Sequence, residues 1–177
     1  MKTIIEQIDI RQMDKETIKK AGDILKSGGL VAFPTETVYG LGADALNEDA
    51  AKKIYEAKGR PSDNPLIVHI ADMEALDNIT EIIPETASSV ARKFWPGPLT
   101  MIFRKTEAVP LGTTGGLDTV AVRMPKHPAA KEIIRAGGGY IAAPSANTSG
   151  RPSPTTAQHV EEDLDGKIDM IVDGGPV

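Results

Sequence analysis

The chain has 177 residues, 40% hydrophobic and 25% charged, enough for one globular domain with a real core and too few for two ordinary ones. A formal net charge of -5 and a pI near 5.2 argue against a surface coated in basic residues for nonspecific nucleic-acid binding, while leaving room for a local basic cavity. With no cysteine, disulfides, thiolate nucleophiles and cysteine-ligated metals are excluded, and 4% aromatic content puts the core on Ile, Leu, Val and Ala.

The N-terminus carries Glu6 and Asp9 where a signal peptide needs an apolar run, and no segment is long enough to span a bilayer, so a cytoplasmic protein without a membrane partner is expected. Asp14 is placed to cap a helix from Lys15 to Ser27, whose apolar Ile18, Ala21, Ile24 and Leu25 recur at helical spacing and which Gly28-Gly29 ends. Leu30 to Phe33 reads as a short strand running into a hydroxyl- and glycine-rich turn, Pro34 to Gly42. Asn47 caps the next helix, with Glu48 and Asp49 in its first turn and Gly59 beyond its end. Leu66 to Ile70 is a predicted strand. A helix from Pro84 to about Phe94 is broken by Pro96-Gly97-Pro98, and strands Leu99 to Phe103 and Thr119 to Met124 flank a Gly/Thr-rich loop. His127-Pro128 opens a helix to Arg135, and Gly137 to Gly139 release the chain into strand Tyr140 to Ala143. Thr155 with Gln158 makes a capping box for a helix to Leu164, and Ile168 to Asp173 is the last strand. The alternation predicts an α/β fold, a single open domain on one twisted, mixed sheet flanked by helices. The Gly174-Gly175-Pro176 turn then points onward, so the 1–177 domain is expected to be truncated at its C-terminal end.

Chemistry in such folds gathers on loops at strand ends, and four constellations sit there. Thr35, Glu36, Thr37 and Tyr39 occupy the first loop, where the plainer reading is a polar turn satisfying its own backbone. Lys58, Arg60, Ser62 and Asn64 lie at and beyond the end of the second helix, whose dipole alone accounts for Lys58 but less well for an Arg followed by two stiffening prolines that bracket Ser62, Asp63 and Asn64. Thr119, Ala121 and Arg123 share one strand face, and an Arg there can clamp a carboxylate, the plainer alternative being an edge-strand Arg in solvent. Ser145, Asn147, Arg151 and Ser153 follow a buried strand, or simply line a long surface loop. His69 alone reads as a satisfied core histidine. No carboxylate pair, metal-ligand spacing, nucleophile elbow or phosphate-loop glycine pattern is present, and the inventory of donors and cations suits phosphoryl or nucleotidyl transfer.

Pro34 to Leu41, the Lys-x-Arg of Lys58 and Arg60, Asn64-Pro65-Leu66 and the Ser-x-Asn of Ser145 and Asn147 stand in an order that resembles the YrdC-like family of threonylcarbamoyl-AMP synthases, from about Lys15 to the end of the chain. The resemblance implies an open α/β domain around a positively charged cavity. It also implies formation of threonylcarbamoyl-AMP and pyrophosphate from L-threonine, bicarbonate and ATP, feeding the modification of the tRNA adenosine beside the anticodon. On that resemblance Thr37, His69, Arg123 and Ala143 hold threonine, with Arg123 on its carboxylate. Lys58, Arg60, Asn64, Thr119, Ser145, Asn147 and Ser153 surround ATP, Lys58 and Arg60 doing the catalytic charge work. Mg2+ travels with the nucleotide, no metal is bound by the protein itself, and tRNA or downstream tRNA-modification proteins are further partners. The family continues past the Gly-Gly-Pro turn into a Gly-x-Glu-Ser-Thr segment that this chain lacks. Three alternatives stay open: a noncatalytic RNA-binding module of the same fold, a related domain handling carbamoyl phosphate in hydrogenase maturation, and a paralogue with a changed carbamoyl-type substrate.

Overall fold

The computed structural model describes residues 2–177. Eight strands form one mixed sheet: β1 (Ile4–Gln7), β2 (Val31–Pro34), β3 (Tyr39–Asp44), β4 (Ile67–His69), β5 (Thr100–Arg104), β6 (Thr119–Arg123), β7 (Ile141–Ala142) and β8 (Met170–Asp173). Their order across the sheet is β1-β8-β2-β3-β7-β4-β6-β5. β8 runs parallel to β1 and β2, and β4 parallel to β6; the other neighbours are antiparallel. The helices are α1 (Lys15–Lys26), α2 (Glu48–Lys58), α3 (Leu76–Ile79), α4 (Glu85–Phe94), α5 (Pro128–Ala136) and α6 (Ala157–Leu164).

The helix signals act as read. Asp14 accepts a hydrogen bond from the Glu16 amide at the start of α1, and Asn47 accepts from Asp49 and Ala50 at the start of α2. Gly59 closes α2 in the left-handed conformation at φ 60°. The cap of α6 is Thr156, not Thr155; its hydroxyl accepts from the His159 amide. Two strands were not expected. β3 occupies what reads as a glycine turn, because its glycines serve packing: a Cβ on Gly42 would lie 2.6 Å from Phe33 Cε1 and 2.9 Å from Ile141 Cγ2. β1 is short, half polar and largely exposed, so nothing local marks it; parallel pairing with β8 makes it a strand.

Two apolar layers flank the sheet. On one face Leu41, Ile54, Val68, Val120, Val122 and Leu164 are buried in one cluster that includes residues of α2 and α6. On the other, α1 and α5 cover β8, β2 and β7 through Leu25, Ile133, Ile134, Val31, Phe33 and Ile141. This second cover stops short of the β4-β6-β5 end. There Ile67, Ala121 and Ile102 lie opposite one another, so their side chains share a face, yet they are only partly buried and Ile102 is 70% exposed. The sheet thus offers an uncovered shelf, and the site is built beside it. No helix among the described residues is long and apolar enough to cross a membrane.

Candidate active site

Strand register gathers the first group. His69 lies opposite Arg123 on one side and Ile141 on the other, and Ala143 donates its amide to the Ile67 carbonyl at 3.0 Å. The side chains of His69 and Arg123 therefore emerge from the same face, beside Ala143. The loop between β2 and β3 closes over them. Thr35 serves that loop's own backbone: its buried hydroxyl donates to the Val38 carbonyl at 2.6 Å and accepts from the Thr37 and Val38 amides. Thr37 instead is exposed, and its Oγ1 accepts from both Nη1 and Nη2 of Arg123 at 3.3 Å.

Arg123 is not in solvent. Its side chain is 12% exposed and its Nη2 donates to Glu36 Oε1 at 2.5 Å, while its Nε is buried without a partner among the described residues. A buried guanidinium donor left unpaired is costly unless a ligand oxygen meets it. His69 is 3% exposed, and its Nδ1 lies 3.0 Å from the Ile67 carbonyl. That contact places the proton on Nδ1 and leaves Nε2 as an acceptor. Burial first, and the Arg123 charge after it, push the imidazole down to about 4, so it is neutral at physiological pH.

The second group forms around the loop after β7. Lys58 is 2% exposed, and its Nζ donates to the carbonyls of Ser145 and Asn147, the latter at 2.6 Å. Burial, reinforced by Arg60, pushes the ammonium down to about 8. Asn147 is buried, donates through Nδ2 to the Thr148 and Arg151 carbonyls at 2.9 Å, and has an Oδ1 without a partner among the described residues. Asp163 on α6 anchors the same loop through the Thr148 amide and Arg151. Ser145 bridges to Gly40 of β3, joining this loop to the first group.

Lys58 and Arg60 take different hydrogen-bond partners. The Arg60 guanidinium turns back on its own loop, to the Asn64 carbonyl at 3.2 Å and that of Pro65 at 3.0 Å. It lines a cavity of about 760 Å³ with Lys52, Tyr55 and Ser62. Thr119 stands on the strand face that carries Ala121 and Arg123. Ser153 is exposed and borders a separate cavity of about 250 Å³ with Arg151 and His159. Tyr39 is structural here: its hydroxyl bonds Gly174 and Gly175, and burial pushes it up to about 12. The residue that sequence reasoning left without a part is Glu36, whose partner Arg123 lies 87 positions away and so gives no local signal.

The model of the Sua5_yciO_yrdC family, described as "Telomere recombination", matches residues 23–177. The chain belongs to this family. It is 58% identical over 169 residues to the threonylcarbamoyl-AMP synthase of Pyrococcus abyssi, covering 95% of this chain and 50% of that protein. It is 61% identical over 160 residues to the threonylcarbamoyl-AMP synthase of Bacillus subtilis, covering 90% and 46%. The crystal structure of P. abyssi Sua5 complexed with L-threonine superposes with a TM-score of 0.96 at 56% identity, over 99% of this chain and 51% of that one. The chain thus spans about half the length of these relatives.

Proposed function

We propose that this chain carries the active site of an L-threonylcarbamoyladenylate synthase, a nucleotidyltransferase. Threonine's amine takes up CO2 from bicarbonate to give a carbamate. A carbamate oxygen attacks the α-phosphorus of ATP, the bond to the β-phosphate oxygen breaks, and pyrophosphate leaves. The product would serve the threonylcarbamoyl modification of tRNA, with tRNA or downstream modification proteins as partners.

The observation that carries this reading is Arg123 with an unpaired, buried Nε beside the Thr37 hydroxyl and a neutral His69. That set suits a zwitterionic amino acid: the guanidinium takes the carboxylate, and His69 Nε2 accepts from a hydroxyl or amine. With its amide committed to Ile67, Ala143 would contribute its carbonyl. On this reading, ATP lies along the second group. Lys58 has one donor beyond its two carbonyl bonds and stays mostly charged near neutral pH, so it and Arg60 would offset the charge of two anionic reactants. Asn64, Thr119, Ser145, Asn147 and Ser153 would shape that subsite, with the unpartnered Asn147 Oδ1 as an acceptor for a nucleotide donor. This reading assigns Mg2+ to the triphosphate of ATP.

The test is product formation from ATP with L-threonine and bicarbonate each omitted in turn. Threonylcarbamoyl-AMP that requires both supports the proposal. Absence of product together with salt-dependent RNA binding indifferent to threonine would turn the reading to the RNA-binding module.

A further inference from the structure

Glu36 has no part in the reaction scheme, yet its carboxylate makes three contacts at the site. One carboxylate oxygen accepts from Arg123 Nη2 at 2.5 Å; the other accepts from the backbone amides of Lys126 and His127 at 3.0 and 3.4 Å. The carboxylate therefore links three pieces of chain: the loop after β2, the end of β6 and the entry to α5. Its side chain is 20% exposed against 12% for its Arg partner, so the pair is shielded from solvent and salt. Burial alone would raise the carboxyl, but the Arg123 hydrogen bond and charge and the backbone amides outweigh it and hold the group below its ordinary value, so it stays ionised.

This geometry distinguishes two roles. A carboxylate that merely stands in for a ligand carboxylate would be bound by the guanidinium alone and free to leave. Glu36 is fixed from behind by two backbone amides just before α5, where a negative charge is favoured, and leaving would break all three contacts. It also leaves Arg123 Nε unpaired. We propose that Glu36 is the positioning residue of the amino-acid subsite: it sets the Arg123 guanidinium, and with it the Thr37 loop, so that the remaining donors meet an incoming carboxylate without rearrangement. This rests on the reading that Arg123 holds the threonine carboxylate.

The experiment measures threonine affinity by calorimetry and the KM and kcat for threonine and ATP in wild type, Glu36→Ala and Glu36→Gln, with a thermal melt for each. Glu36→Ala is expected to weaken threonine by about tenfold or more, with kcat at saturating threonine and the KM for ATP within about twofold of wild type, and Glu36→Gln, which keeps an acceptor oxygen, to recover part of the loss. In an Arg123→Lys background the Glu36→Ala change should add little, because Glu36 acts through the guanidinium. If Glu36→Ala does not fold, Glu36→Gln decides, with about threefold weaker threonine binding expected. Unchanged affinity in the folded variants overturns the proposal, and tighter threonine binding overturns it in favour of a competing carboxylate. Wild-type protein that does not bind threonine fails the underlying reading instead.

Discussion

Protonation of His69 offers a measurement that isolates one buried group of the site. The folded protein holds this imidazole at about 4 against an ordinary 6.5, so between those values the unfolded chain binds a proton that the folded protein refuses. The sign follows: stability linked to His69 is fully present above the ordinary value and is lost as pH falls toward the folded one. Proton linkage then gives a loss of ~2 kcal/mol between about pH 7.5 and about pH 5, approaching ~3 kcal/mol near pH 4. The perturbation is His69→Asn, which keeps a donor for the Ile67 carbonyl and removes the titration. The assay is urea unfolding of both proteins across that range. Burial also lowers His127, but it contributes equally to wild type and variant and cancels in the difference. The variant should lose ~2 kcal/mol less than wild type on acidification. Parallel stability profiles would refute the reasoning.

Lys58→Met keeps the buried stem and removes the ammonium from the Ser145 and Asn147 carbonyls; orphaning two buried acceptors, partly offset by relief of charge burial, should cost ~2–4 kcal/mol in chemical denaturation. Because the folded value of Lys58 is lowered to about 8 from 10.5, the wild type gains stability relative to this variant as pH rises between the two, and a deficit that shrinks over that range would contradict the assignment. Gly42→Ala forces a Cβ to within 2.6 Å of Phe33 and should destabilise by ~1–3 kcal/mol in the same assay, whereas an unchanged midpoint would mean that β2 and β3 part easily.

The helices were legible because their signals are local: Asp14, Asn47 and Gly59 act within a turn of their own positions. Gly40 and Gly42 misled because a glycine reads as a turn, whereas here β3 runs against β2 and Gly42 gives room to Phe33. The alternation of Thr119, Ala121 and Arg123 identified one strand face, and the structure keeps it. What each side chain meets was less visible. Lys58 reads as an ordinary helix-end cation, and only folding brings the Ser145 and Asn147 carbonyls over it. The partnership of Glu36 with Arg123 joins a loop to a strand distant in sequence, so periodicity carries no trace of it.

On the proposed function, Arg123, between Thr37 and His69, receives a threonine carboxylate. Calorimetric titration of L-threonine into wild type and Arg123→Ala, with ATP titrated into both, tests it directly. Saturable threonine binding by the wild type, a loss of about tenfold or more in the variant, and ATP affinity nearly equal in the two are expected. Equal threonine binding by both proteins, or equal loss of both ligands in the variant, would contradict it.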